Sequence, residues 1–191
     1  MKSIDRRAVL ATGLVGLAVP AVAQQMPDVP VESPASASTP RNVMSFRSMD
    51  WRPYFASLRD GAILVDIDSR VLHLWEASGR YRLYPSSVPM TDRLTKRGRT
   101  RVVRKVVGPD WRPTANMRRR NPELPAYVPP GPDNPLGTHA LYLSWTYYRI
   151  HGTHDPRKIG RRASSGCIGL YNDKIAELYS MTPVGAQVRL V

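Results

Sequence analysis

Between Gly61 and Pro85 the chain reads GAILVDIDSRVLHLWEASGRYRLYP, three short apolar runs cut at Asp68-Ser69 and Ser78-Gly79. Runs this short, rich in Val, Ile, Leu, Trp and Tyr and bounded by turn residues, suit strands and leave no room for helices. The pattern recurs in TRVVRKVV (100–107) and HALYLSW (139–145), and AQVRLV (186–191) alternates apolar with polar to the C-terminus. Only NDKIAELYSM (172–181) has helical spacing, with Ile175, Leu178 and Tyr179 on one face and Asn172 at the N-cap position. Between these segments lies NPELPAYVPPGPDNPLG, whose six prolines exclude regular structure. A loop of that length in a compact domain commonly forms a lid or a substrate wall. The expectation is a mainly β fold, a sandwich or barrel, with one short α-helix and a long Pro-rich loop.

The N-terminus places this fold. Lys2, Arg6 and Arg7 precede an apolar run from Ala8 to Val22, and AVA before Gln24 has the form of a signal peptidase site. The run is too short and too rich in Gly and Ala for a permanent span. Adjacent Arg6 and Arg7 fit twin-arginine export. Residues 1–23 therefore read as a signal peptide, residues 24–42, rich in Pro and Ser, as an extended linker, and residues 43–191 as one folded domain. A bacterial periplasmic location follows as the expectation. The formal charge of +13 then points to an acidic envelope polymer rather than to nucleic acid, which the export signal disfavours.

Export gives the single cysteine its meaning. Cysteines in an oxidising compartment normally pair, so a lone one is either an inert small hydrophobe or a reactive thiol. Cys167 lies in RIHGTHDPRKIGRRASSGCIGLYND (149–173), sixteen positions after His151. A nucleophilic thiol needs a base, an oxyanion site and exposure. His151, at the end of a strand-like segment and next to Gly152, can serve as general acid and base. Gly166, and the amides around it, can turn toward a developing oxyanion.

The arrangement IHGT…IG…SSGCIGLYN resembles the L,D-transpeptidase catalytic domain of the YkuD type. Its pattern is His-Gly-Thr, a spacer, then Ser-His-Gly-Cys-hydrophobic-Arg and a nearby Asn. ILVDIDSRVLHLWE, GPDWRPT and the Pro-rich loop extend the likeness over roughly residues 60–191. The resemblance implies a cysteine-dependent acyltransferase acting on peptidoglycan stem peptides, without a cofactor. Cys167 would match the nucleophile and His151 the acid/base, with Gly166 and Cys167 supplying oxyanion amides. Asn172 would match the Asn after the motif, as a structural cap. Carbapenem β-lactams would be covalent inhibitors and the chain a monomer. Two positions depart from the pattern: Ser165 replaces a His, leaving an orienting hydrogen-bond group, and Gly169 replaces an Arg. The second change points to a donor stem other than the common one, with the first stem residue as acyl donor.

Other readings stay open. A hydrolase trimming stems would use the same thioester, and a non-catalytic wall-binding domain would use none of it. His139, Ser164, Tyr127 and Trp111 are candidate substrate contacts, and Gly152 allows close backbone approach at the site. His139, His151, His154 and Cys167 are a nominal zinc set. Gly152 and Asp155-Pro156 keep His151 and His154 from sharing a helical face, so no metal is expected. His73 reads as a strand residue. The basic runs RLTKRGRTRVVRKVV and MRRR fit either attraction to acidic polymers or a solvated edge.

Overall fold

The computed structural model describes residues 48–191, so the leader and the linker lie outside the described residues. The strands in chain order are β1 (Ala62–Asp66), β2 (Val71–Trp75), β3 (Tyr81–Pro85), β4 (Val88–Pro89) and β5 (Gly98–Val107). There follow β6 (His139–Leu143), β7 (Arg149–His151), β8 (Arg162–Ser164), β9 (Ile168–Gly169) and β10 (Gln187–Leu190). The helices are α1 (Ala115–Arg120) and α2 (Asn172–Met181). Helix α1 escapes the periodicity argument because ANMRRR has no apolar face. It stands instead on a local cap, the Thr114 hydroxyl accepting from Met117 N at 3.3 Å. Helix α2 begins one residue earlier in register than expected: Tyr171 is its N-cap and Asn172 its first helical residue.

Eight strands form one curled sheet in the order β3-β2-β1-β10-β5-β6-β7-β9, and β4 pairs with β8 beside it. The pairs β1–β10 and β7–β9 are parallel, the other pairs of the large sheet antiparallel. The opening turns are made locally. Asp66 Oδ1 accepts from Asp68 N and Ser69 N at 3.0 Å each, and Gly79 takes a φ of 82° that suits its missing Cβ. Beyond β3 the chain returns to the far edge, where Ser87 and Gly169 exchange two backbone hydrogen bonds of 2.8 and 3.0 Å. That bridge ties the chain leaving β3 to the β9 edge of the sheet.

The concave face holds the core. Ile63, Leu72, Leu74, Val102, Leu141, Ile150, Ile168 and Val188 meet Ile175 and Leu178 of α2 there. Each such side chain contributes roughly 1.5–3 kcal/mol by leaving water. A second cluster covers the outer face of β1 and β2, where Phe55, Leu64 and Trp75 pack with Trp51, Tyr54 and Leu58. Burial on both faces is why these two strands read as unbroken apolar runs rather than alternating ones. His73 is buried within β2, its Nδ1 2.8 Å from the Tyr81 hydroxyl, as befits a strand residue.

Candidate active site

The site follows from the pairing of two very short strands. In the parallel pair β7–β9, Ile150 lies opposite Ile168 and His151 opposite Gly169. Both isoleucines are fully buried in the core. Because successive side chains alternate faces, the residues flanking them turn the other way. Arg149, His151 and Cys167 thus share the outer face, brought together by register although sixteen positions separate His from Cys. Ile168→Ala would loosen this pairing at its root and cost about 2–5 kcal/mol.

Above that face lies a cavity of about 450 Å³. Its floor includes Cys167, His151 and Arg149, and its roof comes from Thr114 and Met117 at α1 and from Leu124, Val128 and Leu136 of the Pro-rich loop. The loop expected as a lid or wall is therefore a wall. Asn134, completely buried, holds it in place: its Nδ2 donates to the carbonyls of Pro109 and Pro129 at 2.9 Å each, and its Oδ1 accepts from Leu136 N at 2.8 Å. Trp111 joins the wall and exchanges two 2.9 Å backbone hydrogen bonds with Val128.

His151 is crowded by protein yet open to the cavity along one edge. Its Nδ1 lies 2.5 Å from the Gly152 carbonyl. A carbonyl only accepts, so Nδ1 carries the hydrogen and Nε2 keeps its lone pair. Burial, with the positive charges of Arg149 and Lys158, pushes the imidazole down to about 4, against the opposing hydrogen bond to Gly152. The ring is a neutral base at neutral pH. Burial pushes the Cys167 thiol up, while Arg149 draws it back down. The pair therefore rests as thiol and imidazole rather than as an ion pair. In this state the thiol donates to the Tyr147 carbonyl at 3.3 Å. Tyr147 sits in the β6–β7 turn with a φ of 65°, an unusual backbone for a residue with a Cβ.

The other expected residues divide. Ser164 and Ser165 both line the cavity. The Ser164 hydroxyl donates to Cys167 O and accepts from Gly166 N at 3.3 Å, shaping the turn that presents the sulfur. The Gly166 amide is thus engaged here rather than free for an oxyanion. Ser165 Oγ accepts from Arg120 Nη2 at 3.1 Å and so ties the turn to α1. Gly152 serves by its size. Its amide bonds to His139 O, and a Cβ there would come within 2.2 Å of Asn172 Oδ1. That oxygen accepts from Thr138 N and Thr153 N at 3.2 Å each. Asn172 therefore clamps the segments on either side of β6 and β7 instead of capping α2.

Two expected contacts fall elsewhere. His139 lies on the core side of the alternation, its ring tilted at 57° against Tyr179 with the centroids 4.9 Å apart, and lines a separate cavity with Gly137 and Asn172. Tyr127 stands outside the wall beneath the Arg112 guanidinium, 4.3 Å from its ring centre. Among the described residues no three His, Cys, Asp or Glu side chains gather closely enough to hold a metal ion. Arg149, Tyr147 and Lys158 went unread in the sequence. Arg149 was within reach, since it lies two positions before His151 on a strand and must share its face.

Comparison with known proteins agrees with this geometry. The chain matches the L,D-transpeptidase catalytic domain (YkuD) over residues 60–190. It is 49% identical over 195 aligned positions, 99% of this chain and 98% of the other, to the ORF 5 protein of the ATP synthase subunits region of Fuscovulum blasticum, classed among L,D-transpeptidases. Its fold superposes on an L,D-transpeptidase from Mycobacterium smegmatis with a TM-score of 0.52 at 21% identity, covering 69% of this chain and 58% of that one. It also superposes on LdtMt1 in complex with imipenem, with a TM-score of 0.53 at 16% identity, covering 69% and 59%. The thiol and imidazole of adjacent strands, the roofed cavity and the match over residues 60–190 together make this chain a member of the L,D-transpeptidase catalytic domain family, and so a transferase.

Proposed function

We propose that Cys167 is the nucleophile of a peptidoglycan L,D-transpeptidase, with His151 as its base. The observation that supports this most is the register of β7 and β9, which sets a thiol and an uncharged imidazole on one face beneath a cavity large enough for a peptide. As Cys167 Sγ attacks the carbonyl of an L-centre in the donor stem, its proton passes to His151 Nε2. The oxyanion faces the Ser164–Cys167 turn, where the Gly166 amide exchanges its 3.3 Å contact with Ser164 for the new charge. The intermediate collapses as His151 returns the proton to the departing amine of the D-residue, leaving a thioester. An acceptor-stem amine, deprotonated by His151, then attacks the thioester. The new amide forms and the thiol is regenerated.

The leader read in residues 1–23 puts this activity in the periplasm, reached by twin-arginine export. Carbapenems acylate the same sulfur in this reading, consistent with the structural likeness to a protein solved with imipenem. The test is mass spectrometry of muropeptides after incubating purified sacculi with the wild type or with Cys167→Ala. New cross-links confined to the wild type support the proposal, and their masses identify the joined stem residues. Trimmed stems without cross-links would make the chain a hydrolase, and unchanged sacculi would overturn the reading.

A further inference from the structure

Position 169, two residues after the cysteine, has no room for a side chain unless Ser87 moves. A Cβ there would lie 2.4 Å from Ser87 Oγ, across the bridge between these two residues. A guanidinium nevertheless reaches the site from the neighbouring strand. Arg149 faces the cavity beside Cys167, close enough to act on the charge of both the thiol and His151. It lies against Tyr142, 4.9 Å from the ring centre. Among the described residues no carboxylate comes within 4.0 Å of it, and its Nε is buried without an acceptor. A half-buried cation with an unanswered donor is unfavourable unless an anion completes it. The cavity supplies little of its own: Arg112, Arg149 and Lys158 line it against the single acid Asp133.

Resting on the assignment of Cys167 as nucleophile, we propose that Arg149 binds the terminal carboxylate of the residue that leaves the donor stem. The geometry is short enough to require such a contact. The carboxylate carbon of that residue is three bonds from the carbonyl carbon attacked by sulfur, at most about 3.8 Å away. A guanidinium beside the sulfur meets it in fork-to-fork fashion. Arg149 then acts as a ruler: it selects donors whose scissile bond is the last one, and rejects stems extended or amidated at that end.

The test measures alkylation of Cys167 in the purified chain by iodoacetate, which is anionic, and by iodoacetamide, which is neutral and of similar size. The wild type should show an iodoacetate-to-iodoacetamide rate ratio about tenfold above that of Arg149→Gln, the usual size of one charge-assisted contact. Arg149→Lys, which keeps the charge without the fork, should fall between them, and it carries the test if the Gln variant does not fold. In parallel, acyl-enzyme formation should favour a donor stem peptide with a free terminal carboxylate over its amide about tenfold in the wild type and not in Arg149→Gln. Rapid alkylation by iodoacetamide with a ratio unmoved by either variant would leave the nucleophile standing and reduce Arg149 to a prop for Tyr142. Resistance of Cys167 to both reagents would remove the nucleophile and the ruler together.

Discussion

Asn172→Ala should destabilise the domain while leaving every catalytic atom in the chain. Asn172 Oδ1 is the acceptor for Thr138 N and Thr153 N, at 3.2 Å each. Thr153 is buried, so its amide finds no water when the acceptor is removed, a loss of about 1–3 kcal/mol. Thr138 is exposed and rehydrates, so its loss is nearer 0.5–1.5 kcal/mol. The sum is about 1.5–4.5 kcal/mol. With a urea slope of about 2 kcal/mol/M for a domain of this size, the midpoint should fall by about 1–2 M. Because Thr153 follows directly on His151-Gly152, kcat should fall as well. Asn172→Asp separates the oxygen from the amide group. It keeps Oδ1 and adds a negative charge at the first turn of α2, where the helix dipole favours it, so it should lie within about 1 kcal/mol of the wild type. The reasoning fails if Asn172→Ala unfolds within about 0.5 kcal/mol of the wild type, or if the Asp variant is no better than the Ala variant.

The imidazole of His151, ordinarily titrating near 6.5, is held at about 4 in the fold. As pH falls below 6.5 the unfolded chain takes up this proton first, so stability present above that value should be lost by pH 4, by about 3 kcal/mol. Denaturation of the wild type against His151→Gln from pH 7 to 4 isolates this group, and parallel pH dependences would contradict it. Turnover should decline only as pH approaches 4, where the base protonates; a midpoint near 6.5 would mean that the ring is not desolvated. His151→Ala should lower acylation about 10²–10⁴-fold with the fold intact, and an unimpaired variant would remove the residue from the mechanism. Gly152→Ala forces a Cβ to within 2.2 Å of Asn172 Oδ1 and 3.1 Å of Ile175 Cγ2. It should destabilise by about 1–3 kcal/mol by thermal or urea unfolding, and a neutral result would show that the clamp yields.

Much of this was legible in the chain because it is local. The first three strands and their turns follow from short apolar runs cut at Asp68-Ser69 and Ser78-Gly79. Cys167 and His151 stood out through the lone thiol and the His-Gly pair. What escaped was decided across the sheet. His139 looked like a site residue because it opens the strand next to His151, but alternation sends its ring to the core side, against α2. Asn172 has the composition of a cap, and only the approach of Gly137 and Gly152 shows why its oxygen points away from its own helix. Gly169 read as a missing guanidinium. The packing of Ser87 against it, eighty-two positions earlier, could not be read from the chain.

The bridge between Ser87 and Gly169 also governs how a substrate can arrive. Both backbone groups of Gly169 are occupied by Ser87, so the strand that follows the nucleophile offers no open border to which an extended peptide could add itself as a further strand. In the proposed function a stem then descends onto the face from above and is held by side chains. Its recognition is then a matter of charge and shape in the cavity, and its release requires no unzipping of main-chain bonds from this border.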